Sequence, residues 1–188
     1  MSKIGVYLCA FLSAAAVAVA EALTLTWNGG DRGYLSDATW EGGAEGHFTP
    51  QDGDKLVFPK GGSFINDIAG LKVSALTFTS SSLVTLAGEN AITVMNGGKV
   101  LVSGSGLVTN SLPIQVGEPA VAVEGEEVAA PEAVIFAANG SGRKLVISGV
   151  ISGAAPIAVG AASGTVEFTG NNTFTGKLSV TNGYFNAT

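Results

Sequence analysis

The stretch that most limits what this chain can fold into runs from Lys144 to Phe185, KLVISGVISGAAPIAVGAASGTVEFTGNNTFTGKLSVTNGYF. Apolar and small polar residues alternate for a few positions, then Gly, Asn or Ser intervenes and the alternation restarts. Alternation with period two makes a half-buried strand. Residues that tolerate positive φ make the corners between such strands. A helix needs an apolar stripe sustained over roughly ten positions or more. No segment after residue 20 has one. The chain beyond its N-terminus is therefore expected to be all-β.

Upstream the same pattern recurs in looser form. Leu23–Trp27 (LTLTW) and Lys55–Phe58 (KLVF) read as strands, with a polar Gly- and Pro-bearing loop over 41–54 between them. Further strands are expected at 73–79 (VSALTFT), 83–86 (LVTL), 91–95 (AITVM) and 99–102 (KVLV). Turn clusters separate them, among them Asn96-Gly97-Gly98 and Ser103-Gly104-Ser105-Gly106. Residues 107–116 supply one or two more. Residues 117–133 break the rhythm with five glutamates, two prolines and no basic residue. They read as an excursion from the framework, with a short strand or hairpin at Ala120–Val123.

Two all-β architectures compete. A sandwich wants strands of about five or six residues with turn signals every 8–12. A solenoid wants shorter strands repeated with a period of about 20 residues or more. Leu145/Ile147 and Val166/Phe168 open matching triplets 21 residues apart, and Leu178/Val180 follows 12 residues later. That spacing favours a β-solenoid of short strands. At about 22 residues per coil the chain would make roughly seven coils. Trp27, Tyr34 and Trp40 lie in a cap-like segment, 21–62, followed by coils over 63–188. The C-terminal TNGYFNAT has no cap of its own, so end-to-end self-association through the last coil is expected.

The first 20 residues read as an export signal. Lys3 precedes the uncharged apolar run Ile4–Ala20, which ends in Ala18-Val19-Ala20, an A-x-A cleavage site. The run falls short of the ~20 residues of a membrane span. The only cysteine, Cys9, lies inside it, so the mature chain has no disulfides. That fits a bacterial exported protein better than a small, disulfide-dense secreted module. Charged residues are 13%, about half the usual share. The formal net charge is −6 without any basic patch, which argues against nucleic acid and anionic membrane as partners.

The closing ladder resembles the autotransporter-associated β-strand repeat, whose pattern runs roughly G-x-L-x-L-x-G-x-N-T-Y-T-G-x-T-x-V-x-x-G. Gly170, Asn172, Thr173, Phe174, Thr175, Gly176, Val180 and Gly183 fall on that pattern. Val166 and Phe168 take its two apolar positions, and Phe174 stands where Tyr is commoner. Residues 145–153, LVISGVISG, resemble the lead-in to such repeats. The order Trp27, Trp40, Pro50, Asp54, Val57-Phe58 resembles the opening of exported proteins that carry them. The resemblance implies a right-handed parallel β-helix of the passenger type, displayed at or beyond the bacterial cell surface, and it implies no chemistry. The chain has one clear copy of the repeat and no C-terminal run of membrane strands. It is expected to be a fragment, a short relative, or a protein exported by another route.

Candidate sites are few. Trp27, Tyr34 and Trp40 offer flat rings for stacking on sugars, or a cover for the open end of the core. Glu124, Glu126 and Glu127 in the acidic excursion offer a partner-binding loop, or a solvated one. Asp52-Gly53-Asp54, with Asp31 and Asp37, invites comparison with calcium ligands, but calcium sites want several oxygens at set spacing. A turn leading into a strand explains the triplet better. His47, the only histidine, has no cysteine to share a metal with after cleavage. Asn139, Asn171 and Asn186 head N-x-[ST] sequons and read as corner residues. A polysaccharide-processing β-helix needs paired carboxylates on one face. After Val134 the only acidic residue is Glu167, with Arg143, Lys144 and Lys177. The expectation is a non-catalytic, cofactor-free protein at the cell surface or beyond it, structural or adhesive in role. Its expected partners are surface glycans or other exported proteins, and a carbohydrate-binding module is the principal alternative.

Overall fold

The computed structural model describes residues 22–42, 49–118 and 130–188. The described chain contains no helix, and fifteen strands form one sheet. They are β1 (Thr24–Trp27), β2 (Arg32–Tyr34), β3 (Trp40–Glu41), β4 (Lys55–Phe58), β5 (Gly62–Ile65), β6 (Lys72–Phe78), β7 (Val84–Ala87) and β8 (Ile92–Val102). Then follow β9 (Leu107–Asn110), β10 (Ile114–Val116), β11 (Val134–Ala138), β12 (Lys144–Ile147), β13 (Ile151–Gly153), β14 (Ile157–Phe168) and β15 (Leu178–Ala187). The all-β reading of the sequence holds.

The pairing follows three ladders, each built by chain that returns to its own side in parallel. In the first, Leu25, Leu56, Leu76, Val100, Phe136, Val159 and Val180 stand in one column. In the second, Gly33, Phe64, Leu86, Asn110, Ile147, Phe168 and Ala187 do the same. The third runs Val73, Val94, Val116, Gly153. Backbone bonds extend it without a regular strand, from Thr173 N–H to Ile151 C=O at 2.8 Å and from Thr175 N–H to Gly153 C=O at 2.9 Å. Among the numbered strands only β1 and β3 pair antiparallel. This mostly parallel, open arrangement is compatible with a β-solenoid. The cap-like segment 21–62 contains the first two rungs, β1 and β4, at the two places where strands are expected from the sequence.

Strand alternation explains the core. β4 and β12 each alternate half-buried and buried residues, which sends Leu56, Phe58, Leu145 and Ile147 inward. Aliphatic side chains fill the middle, and aromatic rings cluster towards the two ends. Trp27, Trp40, Phe58, Phe64 and Phe78 form one cluster, with neighbouring ring centroids 5.0–5.4 Å apart. Phe136, Phe168 and Phe185 form the other. Asn110 is the polar exception in an inward column. Its carboxamide folds onto Leu112, accepting from the N–H at 3.3 Å and donating to the C=O at 3.5 Å. Buried polar groups must find partners, and Asn supplies them two residues away at a corner.

One feature differs from the sequence reading. Asn96-Gly97-Gly98 does not end a strand. β8 runs through it for eleven residues, bending from the third ladder to the first. The excursion at 117–133 leaves the register intact, since Lys99 still stands beside Ile135, 36 residues on, where Lys55 and Ala75 are 20 apart. Residues 119–129, with the expected strand at Ala120–Val123 and with Glu124, Glu126 and Glu127, lie outside the described residues.

Candidate functional site

Of the two readings of Trp27, Tyr34 and Trp40, a sugar-stacking surface or a cover for the open end of the core, the two tryptophans take the second. Trp27 and Trp40 are each 1% exposed. Alternation along β1 turns Trp27 inward, where its ring meets Trp40 and Phe64 edge-on. Both indole N–H groups are engaged, Trp27 with Gly30 C=O at 2.8 Å and Trp40 with Leu35 C=O at 2.9 Å. Rings so placed close the core rather than meet a ligand. Tyr34 points the other way and is 51% exposed. It lines a shallow groove with Arg32, Asp37, Ser63 and Ile65. Its own N–H donates to Asp37 Oδ2 at 2.8 Å, which fixes that corner.

A second groove was not foreseen in the sequence. It lies at the corners between the first and second ladders, lined by Ser141, Ala162, Ser163, Asn182, Gly183 and Tyr184. Tyr184 is 73% exposed. The register that would have revealed it pairs Tyr184 with Thr165 and Lys144, so this column faces outward while Phe185 turns in. Hydroxyls, a carboxamide and an exposed ring are the groups that recognise sugars, by hydrogen bonds and stacking.

The acidic residues serve the framework. Asp54 is buried and accepts from Leu23 N–H at 3.0 Å and Gln51 N–H at 2.9 Å. Asp52 accepts from Lys72 N–H at 3.0 Å, tying one coil to the next. The two carboxylates of Asp52-Gly53-Asp54 are thus committed to different backbone donors. Asp67 accepts from Ser36 N–H at 3.0 Å and from the Ser36 hydroxyl. Among the described residues no group of three or more His, Cys, Asp or Glu is placed to hold a metal. His47 lies outside them.

Removing the Asp54 carboxylate deletes two part-buried hydrogen bonds to a charged acceptor, each worth about 1.5–3 kcal/mol. Asp54→Ala is therefore expected to lower the unfolding free energy by roughly 2–4 kcal/mol, read as a lower midpoint in urea with unchanged slope.

Among the described residues two ion pairs lie on the outer surface. Lys144 Nζ is 2.9 Å from Glu167 Oε1, and Lys72 Nζ is 2.7 Å from Glu118 Oε1. The hydrogen bond and the negative charge of Glu118 hold the Lys72 ammonium above its ordinary pKa. The contribution of a raised lysine is whole below its unfolded value and fades as pH climbs through the raised one. It is constant across neutral pH. A general base needs the opposite shift, towards neutrality.

Among the described residues no helix is long and apolar enough to cross a membrane. No protein-family model, no curated protein and no solved structure matches the chain.

Proposed function

We propose that the chain is an exported right-handed parallel β-helix with a structural or adhesive, passenger-like role at or beyond the cell surface, and that it is not an enzyme. The observation that carries this reading is the column of seven parallel rungs from Leu25 to Val180, a rod built by returning chain. Such a rod spaces and displays. Right-handedness draws support from the strand twist, which makes crossovers between parallel strands right-handed in about 98% of cases. The export reading rests on the N-terminal run and its A-x-A site, and the passenger reading on the repeat at 164–183. The non-catalytic reading draws support from the carboxylates of Asp52, Asp54 and Asp67, each spent on backbone donors.

A second reading has an observation of its own. Tyr184, Asn182, Ser141 and Ser163 offer a sugar-binding surface on the rod, and Tyr34 offers a smaller one.

Expression of the full chain with its own N-terminus in a Gram-negative host tests the first reading. Mature protein beginning at Glu21, outside the inner membrane, is the expected result. Uncleaved protein retained in the cytoplasm overturns the export reading. A glycan array probed with the secreted protein and with Tyr184→Ala separates display rod from lectin. Binding lost in that variant favours the lectin.

A further inference from the structure

The outer side of the second ladder concentrates exposed apolar side chains. Its first six rungs are β2, β5, β7, β9, β12 and β14. The middle outward column on these rungs reads Arg32, Ser63, Thr85, Thr109, Val146, Glu167. Tyr34 and Ile65 stand on one side of it. Leu83 and Leu107 stand on the other, with Lys144 next in their column. Among the described residues eight large apolar side chains are exposed, and Tyr34, Ile65, Leu83 and Leu107 are four of them. Half of the exposed apolar residues on one face mark an interaction surface.

Charge on this face is sparse and sits near its two ends. Arg32 is on the first rung and has no ion-pair partner among the described residues. Glu167 is on the sixth rung and bonds Lys144, on the fifth, at 2.9 Å. All the positions involved lie between β2 and β14 and are flanked by chain on the same ladder, so the face is a side of the rod and not one of its ends. The excursion departs after Val116 on the third ladder and returns at Val134 on the first, away from this side.

We infer that this face is self-complementary and docks a second copy about a two-fold axis parallel to the strands. Such an axis lays each column over the same column of the other copy and reverses the order of the rungs. Leu83 and Leu107 occupy the third and fourth rungs. They stack, Leu83 on the other copy's Leu107 and the reverse, when the axis passes between those two rungs. That register also sets the first rung on the sixth, which brings Arg32 onto the other copy's Glu167 at both ends of the joint. The apolar match and the charge match are independent, and both require the same register. Thr85 falls over Thr109, and Lys144 over Gly61, which has no side chain.

The other face-to-face two-fold, along the ladder axis, keeps the rungs in order. It sets Arg32 on Arg32 and Glu167 on Glu167, like charge against like. Charge therefore fixes the direction of docking. It also favours a second copy as the occupant, which supplies a carboxylate to each of two guanidiniums five rungs apart, about 24 Å at 4.8 Å per rung. An isologous joint of this kind closes at two copies. The face is about 24 Å by 13 Å, at the small end of specific interfaces, so the pair forms reversibly.

Sedimentation velocity on the mature exported chain, from about 10 μM to 1 mM, should show monomer passing to dimer and nothing larger. Arg32→Glu and Glu167→Lys should each weaken the dimer about tenfold or more, since each sets two like-charge contacts in the joint. Mixed in equal amounts, the two variants should pair with roughly wild-type affinity, because each contact then joins one carboxylate and one cation. Leu83→Lys should abolish the dimer and find no rescue in either mixture. The β-type circular dichroism should be unchanged in all three variants. A wild-type chain still monomeric at about 1 mM, oligomers beyond the dimer, a dimer indifferent to these substitutions, or a mixture no tighter than its separate components would each overturn the inference.

Discussion

Phe58→Ala is expected to lower the unfolding free energy by about 3–5 kcal/mol, the range for deleting a buried aromatic ring. Phe58 is fully buried and joins the two tryptophans to the rest of the core. Its ring centroid lies 5.4 Å from Trp40, 5.0 Å from Phe64 and 5.1 Å from Phe78. These neighbours come from three different rungs, and each is fixed by its own strand. The cavity therefore cannot close without breaking ladder bonds, which places the loss towards the upper part of the range. Urea unfolding followed by tryptophan fluorescence reads this directly, since Trp27 and Trp40 report from the same cluster. A loss below about 1 kcal/mol would mean that the cluster is plastic, against the close packing of protein interiors.

Gly88→Ala is expected to cost roughly 3 kcal/mol, although it adds a single methyl group. Gly88 has φ +134°, outside what L-residues adopt readily, and a Cβ there would stand 2.5 Å from the Asn66 carbonyl oxygen of the coil below. Asn66 cannot yield. It is buried, its carboxamide accepts from Ile68 N–H at 3.1 Å and donates to Asn90 C=O at 2.9 Å, and its own N–H bonds to Ala87 C=O at 2.7 Å. Gly70 provides the control. Its φ is +72°, but open space surrounds it, so Gly70→Ala should show only the left-handed backbone cost of about 1–2 kcal/mol. Equal losses at the two positions would show that close approach of successive coils does not limit Gly88.

These two residues also show how far the sequence could be read. Phe58 was legible, because KLVF alternates and Pro59 ends it, so its strand and its inward direction followed from period two. Gly88 was legible only as a turn residue. Its contact with Asn66 depends on which coil stacks on which, and that register is a long-range fact. Trp27 and Trp40 show the same limit. In the sequence they suit both stacking on a ligand and covering the open end of the core, with the cover the better reading, and the direction of β1 and its pairing with β3 show how that cover is made. Asn96-Gly97-Gly98 was misread because a solenoid corner can be made by bending a strand as well as by ending one. The Tyr184 groove was invisible because its walls come from corner loops 20 or so residues apart, brought together by the ladder rather than by any motif.

The register across residues 117–133 carries a consequence for how such a chain can vary. The rung after the excursion lands where it would have landed without it, so the framework registers only where the chain leaves and re-enters. Closing a longer loop costs little, about 0.6 kcal/mol for each doubling of its length. Segments of quite different size and composition are therefore interchangeable at that corner. Near its two ends the excursion is tied to earlier coils, Glu118 to Lys72 Nζ and Glu132 C=O to Gly97 N–H, and those two ties are what a lineage would have to keep while trying new surface between them.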